Sequence, residues 1–148
     1  IYLTNPSLRC ALFQPIQIID NEIGDMVETA IYAQWIPRLG TDISYANWRL
    51  KKDKQGEVDI VGIDIARQKP QWTVEIKWSD RYAEKPGELE SLLWYMTNNK
   101  LTDAIVTTQT ITNKTELNSV VLHFMPTACY AYTVASNTLQ STRVSYGL

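Results

Sequence analysis

Residues 72–79 read Trp-Thr-Val-Glu-Ile-Lys-Trp-Ser. Trp72, Val74, Ile76 and Trp78 alternate strictly with Thr73, Glu75, Lys77 and Ser79. A period of two is the signature of a β-strand, in which successive side chains leave opposite faces. A strand with one aromatic and aliphatic face has to bury that face, so this stretch commits the chain to a sheet with a core behind it. It also fixes a detail of chemistry, because Glu75 and Lys77 then project side by side from the other face.

The preceding apolar stretch poses a second constraint. Asp59 shares its strand face with Val61, Ile63 and Ile65. An acid that opens an apolar face lies at or in a buried layer and needs partners there. Glu28 poses the same problem on a helix, being the only charged residue from Met26 through Pro37. Carboxylates from adjacent strands repel unless a cation intervenes. A hard divalent cation, Mg²⁺ or Mn²⁺, takes oxygen ligands of this kind. It can polarise a phosphate oxygen and supply hydroxide for attack, while a lysine beside it can orient or help deprotonate that water, or stabilise charge developing on the phosphate. Asp59, Glu75 and Lys77, with Glu28 from the first long helix, therefore make a coherent set for phosphodiester hydrolysis. The competing reading is a salt-bridged face with no chemistry, since acid-x-Lys is a common strand pattern.

Around these residues the pattern predicts a helix over 7–13 with Pro6 at its first position, and a helix over 21–38. Strands follow over 43–50, 57–66 and 72–79, with a hairpin turn over 67–71 around Pro70. After a loop over 80–87 come a helix over 88–98, strands over 102–108 and 120–124, and a final helix over 128–139. The α-β-β-β-α-β order predicts an α/β fold, a mixed sheet flanked by helices.

Composition excludes several classes. Hydrophobic residues make up 45% and charged residues 20%, an ordinary globular balance with no run of membrane-spanning length. There is no G-x-x-x-x-G-K-[ST] phosphate loop. Cys10 and Cys129 form no paired motif, and a single histidine, His123, cannot build a zinc site. The cysteines are expected to be reduced, buried thiols of a cytoplasmic protein, and His123 a satisfied strand residue. A net charge of −2 gives no overall attraction to nucleic acid, although Arg49, Lys51, Lys52 and Lys54 beside Trp48 could track phosphates locally. The alternative for that cluster is a solvated turn. Trp72 and Trp78 are expected to pack in the core.

Three stretches carry a resemblance. Ile1-Tyr2-Leu3-Thr4-Asn5-Pro6-Ser7-Leu8-Arg9 resembles an "iYltDpglr" segment, with Asn5 where Asp is usual. Gly24-Asp25-Met26-Val27-Glu28-Thr29-Ala30-Ile31 resembles a "G-x-x-x-E-x-x-V" helix. Trp48-Arg49, Gly56-Glu57-Val58-Asp59 and Val74-Glu75-Ile76-Lys77 resemble "YWR…EVDfv…iEvK". Together they are similar to the C-terminal domain of a large family of prokaryotic AAA-type ATPases of unassigned function, a domain that looks like a member of the PD-(D/E)XK nuclease superfamily. The resemblance covers the first two thirds of the chain. It implies a restriction-endonuclease-like core forming one domain over residues 1–148, taken from the C-terminal part of a larger ATPase. It implies that Asp59, Glu75, the Ile76 carbonyl and Glu28 hold Mg²⁺ or Mn²⁺, and that Lys77 is the catalytic lysine. The implied partners are nucleic acid, expected to be DNA, and the protein's own N-terminal ATPase domain, with no membrane. A non-catalytic recognition or assembly module that keeps the fold is the alternative.

Overall fold

The computed structural model describes residues 6–12, 15, 17, 22–35, 43–49 and 55–146. Its contacts divide the chain into two compact units, one made of residues 1–40 and 127–148, the other of residues 41–126.

The first unit is helical. It comprises α1 (Pro6–Leu12), α2 (Ile23–Trp35) and α5 (Thr127–Tyr146). Ile31 and Trp35, one turn apart, are the buried positions of α2. Tyr130, Val134 and Thr138 recur every four residues as the buried stripe of α5. α2 packs on both α1 and α5. The expected helix over 128–139 thus starts one residue earlier and runs further, to Tyr146.

The second unit is an α/β layer. It contains β1 (Ile43–Arg49), β2 (Gln55–Asp64), β3 (Lys69–Glu75), α3 (Arg81–Glu84), α4 (Glu90–Asn99), β4 (Asp103–Thr108), β5 (Asn113–Leu117) and β6 (Val120–Pro126). The sheet order is β1-β2-β3-β4-β6-β5. β1, β2 and β3 are antiparallel neighbours, β3–β4 and β4–β6 are parallel, and β5–β6 is antiparallel. The sheet is therefore mixed, and α4 makes the crossover that parallel β3 and β4 require. Leu89, Leu92, Leu93 and Met96 of that crossover pack on Val58, Val61, Ala104, Val106, Val120, Leu122 and Phe124.

Two irregularities shape the site. Between the pairs Ser44–Val61 and Ala46–Val58, one β1 residue, Tyr45, faces two β2 residues, Asp59 and Ile60. This β-bulge breaks the alternation, so that Val58 and Val61 both join the core against α4. The expected face shared by Asp59, Val61, Ile63 and Ile65 is thereby corrected: Val61 is buried, and Ile65 is 56% exposed. A second shift puts Gln71 of β3 out of register between Trp72 and Pro70. Pro70 lies inside β3, not in the turn, because beside a bulge its missing N–H costs no ladder bond. The turn itself is set by Asp64, whose Oδ1 accepts the N–H groups of Ala66 and Arg67.

Further expectations are corrected. β3 ends at Glu75, so Ile76, Lys77 and Trp78 leave the ladder. The expected loop over 80–87 contains α3 and a 3₁₀ turn, Pro86–Glu88. β5 went unforeseen because Asn-Lys-Thr-Glu-Leu is a polar edge strand. It is joined to β6 by Asn118 and Ser119, both at positive φ, the geometry of a tight two-residue hairpin. Cys10 is half-buried and Cys129 exposed, so neither is the buried thiol expected. Among the described residues no helix is long and apolar enough to cross a membrane.

Trp48 lies across Gly56, its cross-strand partner, and stacks on Trp94 and Tyr95 of α4 with ring centroids 4.9 and 5.5 Å apart. A Cβ on Gly56 would overlap the Trp48 indole. Gly56→Ala is expected to destabilise the protein by about 1–3 kcal/mol through displacement of that ring. Gly24 in α2 has open space around it, and Gly24→Ala is expected to stabilise by about 0.5 kcal/mol. Urea unfolding of the two variants beside the wild type checks both signs.

Candidate metal centre

The β2–β3 ladder ends at the Ile60–Val74 pair, and Asp59 and Glu75 are the next residue along each strand. Both carboxylates are buried, each residue 6% exposed. Lys77 reaches back to them from beyond the strand end. Its Nζ is 2.8 Å from Glu75 Oε1 and 3.6 Å from Asp59 Oδ2, and it lies 5.9 Å from the centre of the Tyr82 ring. The Ile76 N–H donates to Asp59 Oδ2 at 2.6 Å. Glu75 Oε2 is enclosed by protein and has no hydrogen-bond partner. The site therefore lies at the carboxyl ends of the parallel strands β3 and β4, where ligands of open α/β sheets usually bind.

Asp59, Glu75 and Lys77 thus converge as the sequence predicted, and Ile76 joins them through its backbone. Glu28 lies half-buried on α2, in the helical unit. Within the sheet unit, among the described residues, no third acid, histidine or cysteine joins the two carboxylates. Lys51, Lys52, Lys54 and the segment 1–5 lie outside the described residues, and of Arg49 only the strand backbone is described. His123 is satisfied, with Nε2 2.9 Å from Asp103 Oδ1. Trp72 lies over Gly62, its cross-strand partner, and is half-buried, as is Trp78.

Sequence reasoning missed two supports. Thr107 of β4 is fully buried and hydrogen-bonds to the Lys77 backbone. Asp80 accepts the Thr110 and Ile111 N–H groups on Oδ1 and the Thr110 hydroxyl on Oδ2. It thereby ties the loop after β4 to the segment after β3, and these bonds hold its own pKa below the usual range. Neither residue stands out in sequence, because Thr at a strand end and Asp before a helix are ordinary.

The electrostatics follow from burial. Loss of solvent raises the Glu75 pKa, the facing Asp59 raises it further, and Lys77 only partly offsets both, leaving it at about 7. Burial presses the Lys77 pKa down, but Glu75 and Asp59 more than reverse this, so Lys77 holds its proton above the usual lysine range.

The donor set suits a hard cation. Two carboxylates and a backbone carbonyl are oxygen donors of the kind such a cation takes, and Glu75 Oε2 is a buried acceptor without a hydrogen-bond partner. The Lys77 ammonium faces both carboxylates and offsets part of their charge.

A raised carboxyl pKa has a definite sign in folding. Below the unfolded value of 4.5 both states are protonated and the stabilisation is complete. As pH rises towards 7 the unfolded chain releases the proton while the folded one keeps it, so stability falls. Metal-free protein is expected to lose on the order of 1–3 kcal/mol between pH 4.5 and 8 from this group. In Glu75→Gln this fall should be absent, which denaturant unfolding across the pH range measures. No family model matches the chain, and comparison with curated proteins finds no match.

Proposed function

We propose that the chain carries a PD-(D/E)XK-type nuclease centre on a restriction-endonuclease-like core, hydrolysing phosphodiester bonds of nucleic acid with Mg²⁺ or Mn²⁺. The observation that supports this best is the convergence of Asp59, Glu75 and Lys77 around a carboxylate oxygen enclosed without a partner. Asp59, Glu75 and the Ile76 carbonyl would hold the cation; the part that the motif resemblance gives to Glu28 rests on that resemblance alone. A cation held there supplies Lewis acidity, polarising a phosphate oxygen and lowering the pKa of water.

The chain's own groups divide the remaining work. Lys77 faces both carboxylates, where its charge would stabilise charge developing on the phosphate and its amino group would assist the attacking water. Asp59 holds the Ile76 peptide through its N–H. DNA is the proposed substrate, an N-terminal AAA-type ATPase the proposed partner, and the cytoplasm the proposed location. All three rest on the motif resemblance.

A second reading draws on the same ion pairs. Lys77 already faces both carboxylates, an arrangement that a non-catalytic recognition or assembly module could keep for structure alone.

Incubation with labelled single- and double-stranded DNA and RNA separates the two. The nuclease reading expects cleavage with Mg²⁺ or Mn²⁺, none in EDTA, and none in Glu75→Gln. Lys77→Ala should lower the cleavage rate by about 10²–10³, the usual size of one lost electrostatic donor. Unchanged nicking in Glu75→Gln would show a contaminating enzyme. The absence of cleavage on every substrate by folded wild type would favour the structural module.

A further inference from the structure

The last ladder pair between β3 and β4 is Glu75–Val106. Beyond it the strand bonds stop, yet the backbone stays tied to β4 through a side chain. The Lys77 N–H donates to Thr107 Oγ1 at 2.8 Å, and the same hydroxyl donates to the Lys77 carbonyl at 3.0 Å. One threonine hydroxyl can do both, having one proton and two lone pairs. Thr107 is itself 0% exposed, so these bonds form out of water, where an oriented pair is least exchangeable.

The consequence concerns the neighbouring peptide. The Lys77 N–H and the Ile76 carbonyl belong to one planar trans unit and point in opposite directions. β3 lies between β2 and β4. With the Lys77 N–H aimed at β4, the Ile76 carbonyl is aimed away from β4, towards the β2 side. The Ile76 N–H points that way too, being bonded to Asp59 of β2. Extended backbone requires this agreement, since the N–H and C=O of one residue leave on the same side.

We infer that Thr107 is the positioning residue of the site: its hydroxyl clips both backbone groups of Lys77 and thereby turns the Ile76 carbonyl towards Asp59 and the Lys77 ammonium towards the carboxylate pair. The role given to the carbonyl rests on the metal-site reading, whereas the clip and its effect on Lys77 do not.

The test is therefore made on metal-free protein without nucleic acid. Lysine acylation by a limiting acetylating reagent is followed residue by residue by mass spectrometry. Thr107→Val keeps shape and removes the hydroxyl, and Thr107→Ser keeps the hydroxyl. The inference expects Lys77 in Thr107→Val to react about tenfold faster than in wild type, the factor for losing hydrogen bonds of ordinary strength. Thr107→Ser should retain the wild-type rate, and the exposed Lys100 and Lys114 should be unchanged in both, which reports an intact fold. An unchanged Lys77 rate in folded Thr107→Val, or equal acceleration in Thr107→Ser, would overturn it. Should Thr107→Val not fold, amide exchange of Lys77 in wild type decides. Exchange slowed about tenfold or more against an unstructured peptide supports the clip, and exchange at the peptide rate overturns it. Loss of the clip and failure of the nuclease reading are read separately, since the second is decided by cleavage and metal binding.

Discussion

Two carboxylates buried on adjacent strands and facing one lysine are the constraint to which the rest of the sheet unit answers. Desolvation and mutual repulsion both disfavour ionisation of the pair, which is why Glu75 is raised to about 7. Left alone such a pair would weaken the fold, and three features offset it. Lys77 brings a positive charge to both acids, the Ile76 N–H binds Asp59, and the end of β3 frees the backbone to make that bond. A buried ion pair of this sort is poor evidence for stability, because desolvation consumes much of the Coulombic gain.

The sheet builds this arrangement from irregularities. The bulge at Asp59 and Ile60 places an acid between two core valines. The early end of β3 turns Ile76 and Lys77 out of the ladder, and Thr107 replaces the lost strand bonds. Asp80 then secures the next loop. Regular strands would have left Lys77 a member of the sheet. Bulges and interrupted ladders are common beside active sites for this reason, since they re-aim side chains.

Much of this was legible in the sequence, though not always for the right reason. The alternation from Trp72 correctly put Glu75 and Lys77 on one side, yet it suggested a strand continuing to Ser79. A one-dimensional pattern cannot show where the neighbouring strand stops pairing. Asp59 was recognised as buried from its apolar followers, but the bulge separates it from their face, and Ile65 is exposed. Pro70 suggested a turn that Asp64 makes. β5 was invisible because an edge strand with no buried face has no hydrophobic period to read. Thr107 could not be recognised, as its role exists only through a residue thirty positions away.

Binding of a divalent cation by Asp59 and Glu75 separates a metal centre from a structural ion pair. Calorimetric titration of the metal-free protein with Mn²⁺, in parallel with Asp59→Asn, asks this without knowledge of a substrate. Saturable binding in the wild type that is lost in folded Asp59→Asn is the predicted result. Absence of binding in the folded wild type, or equal binding in the variant, would contradict the metal site and leave Lys77 as the structural counter-ion of two buried acids.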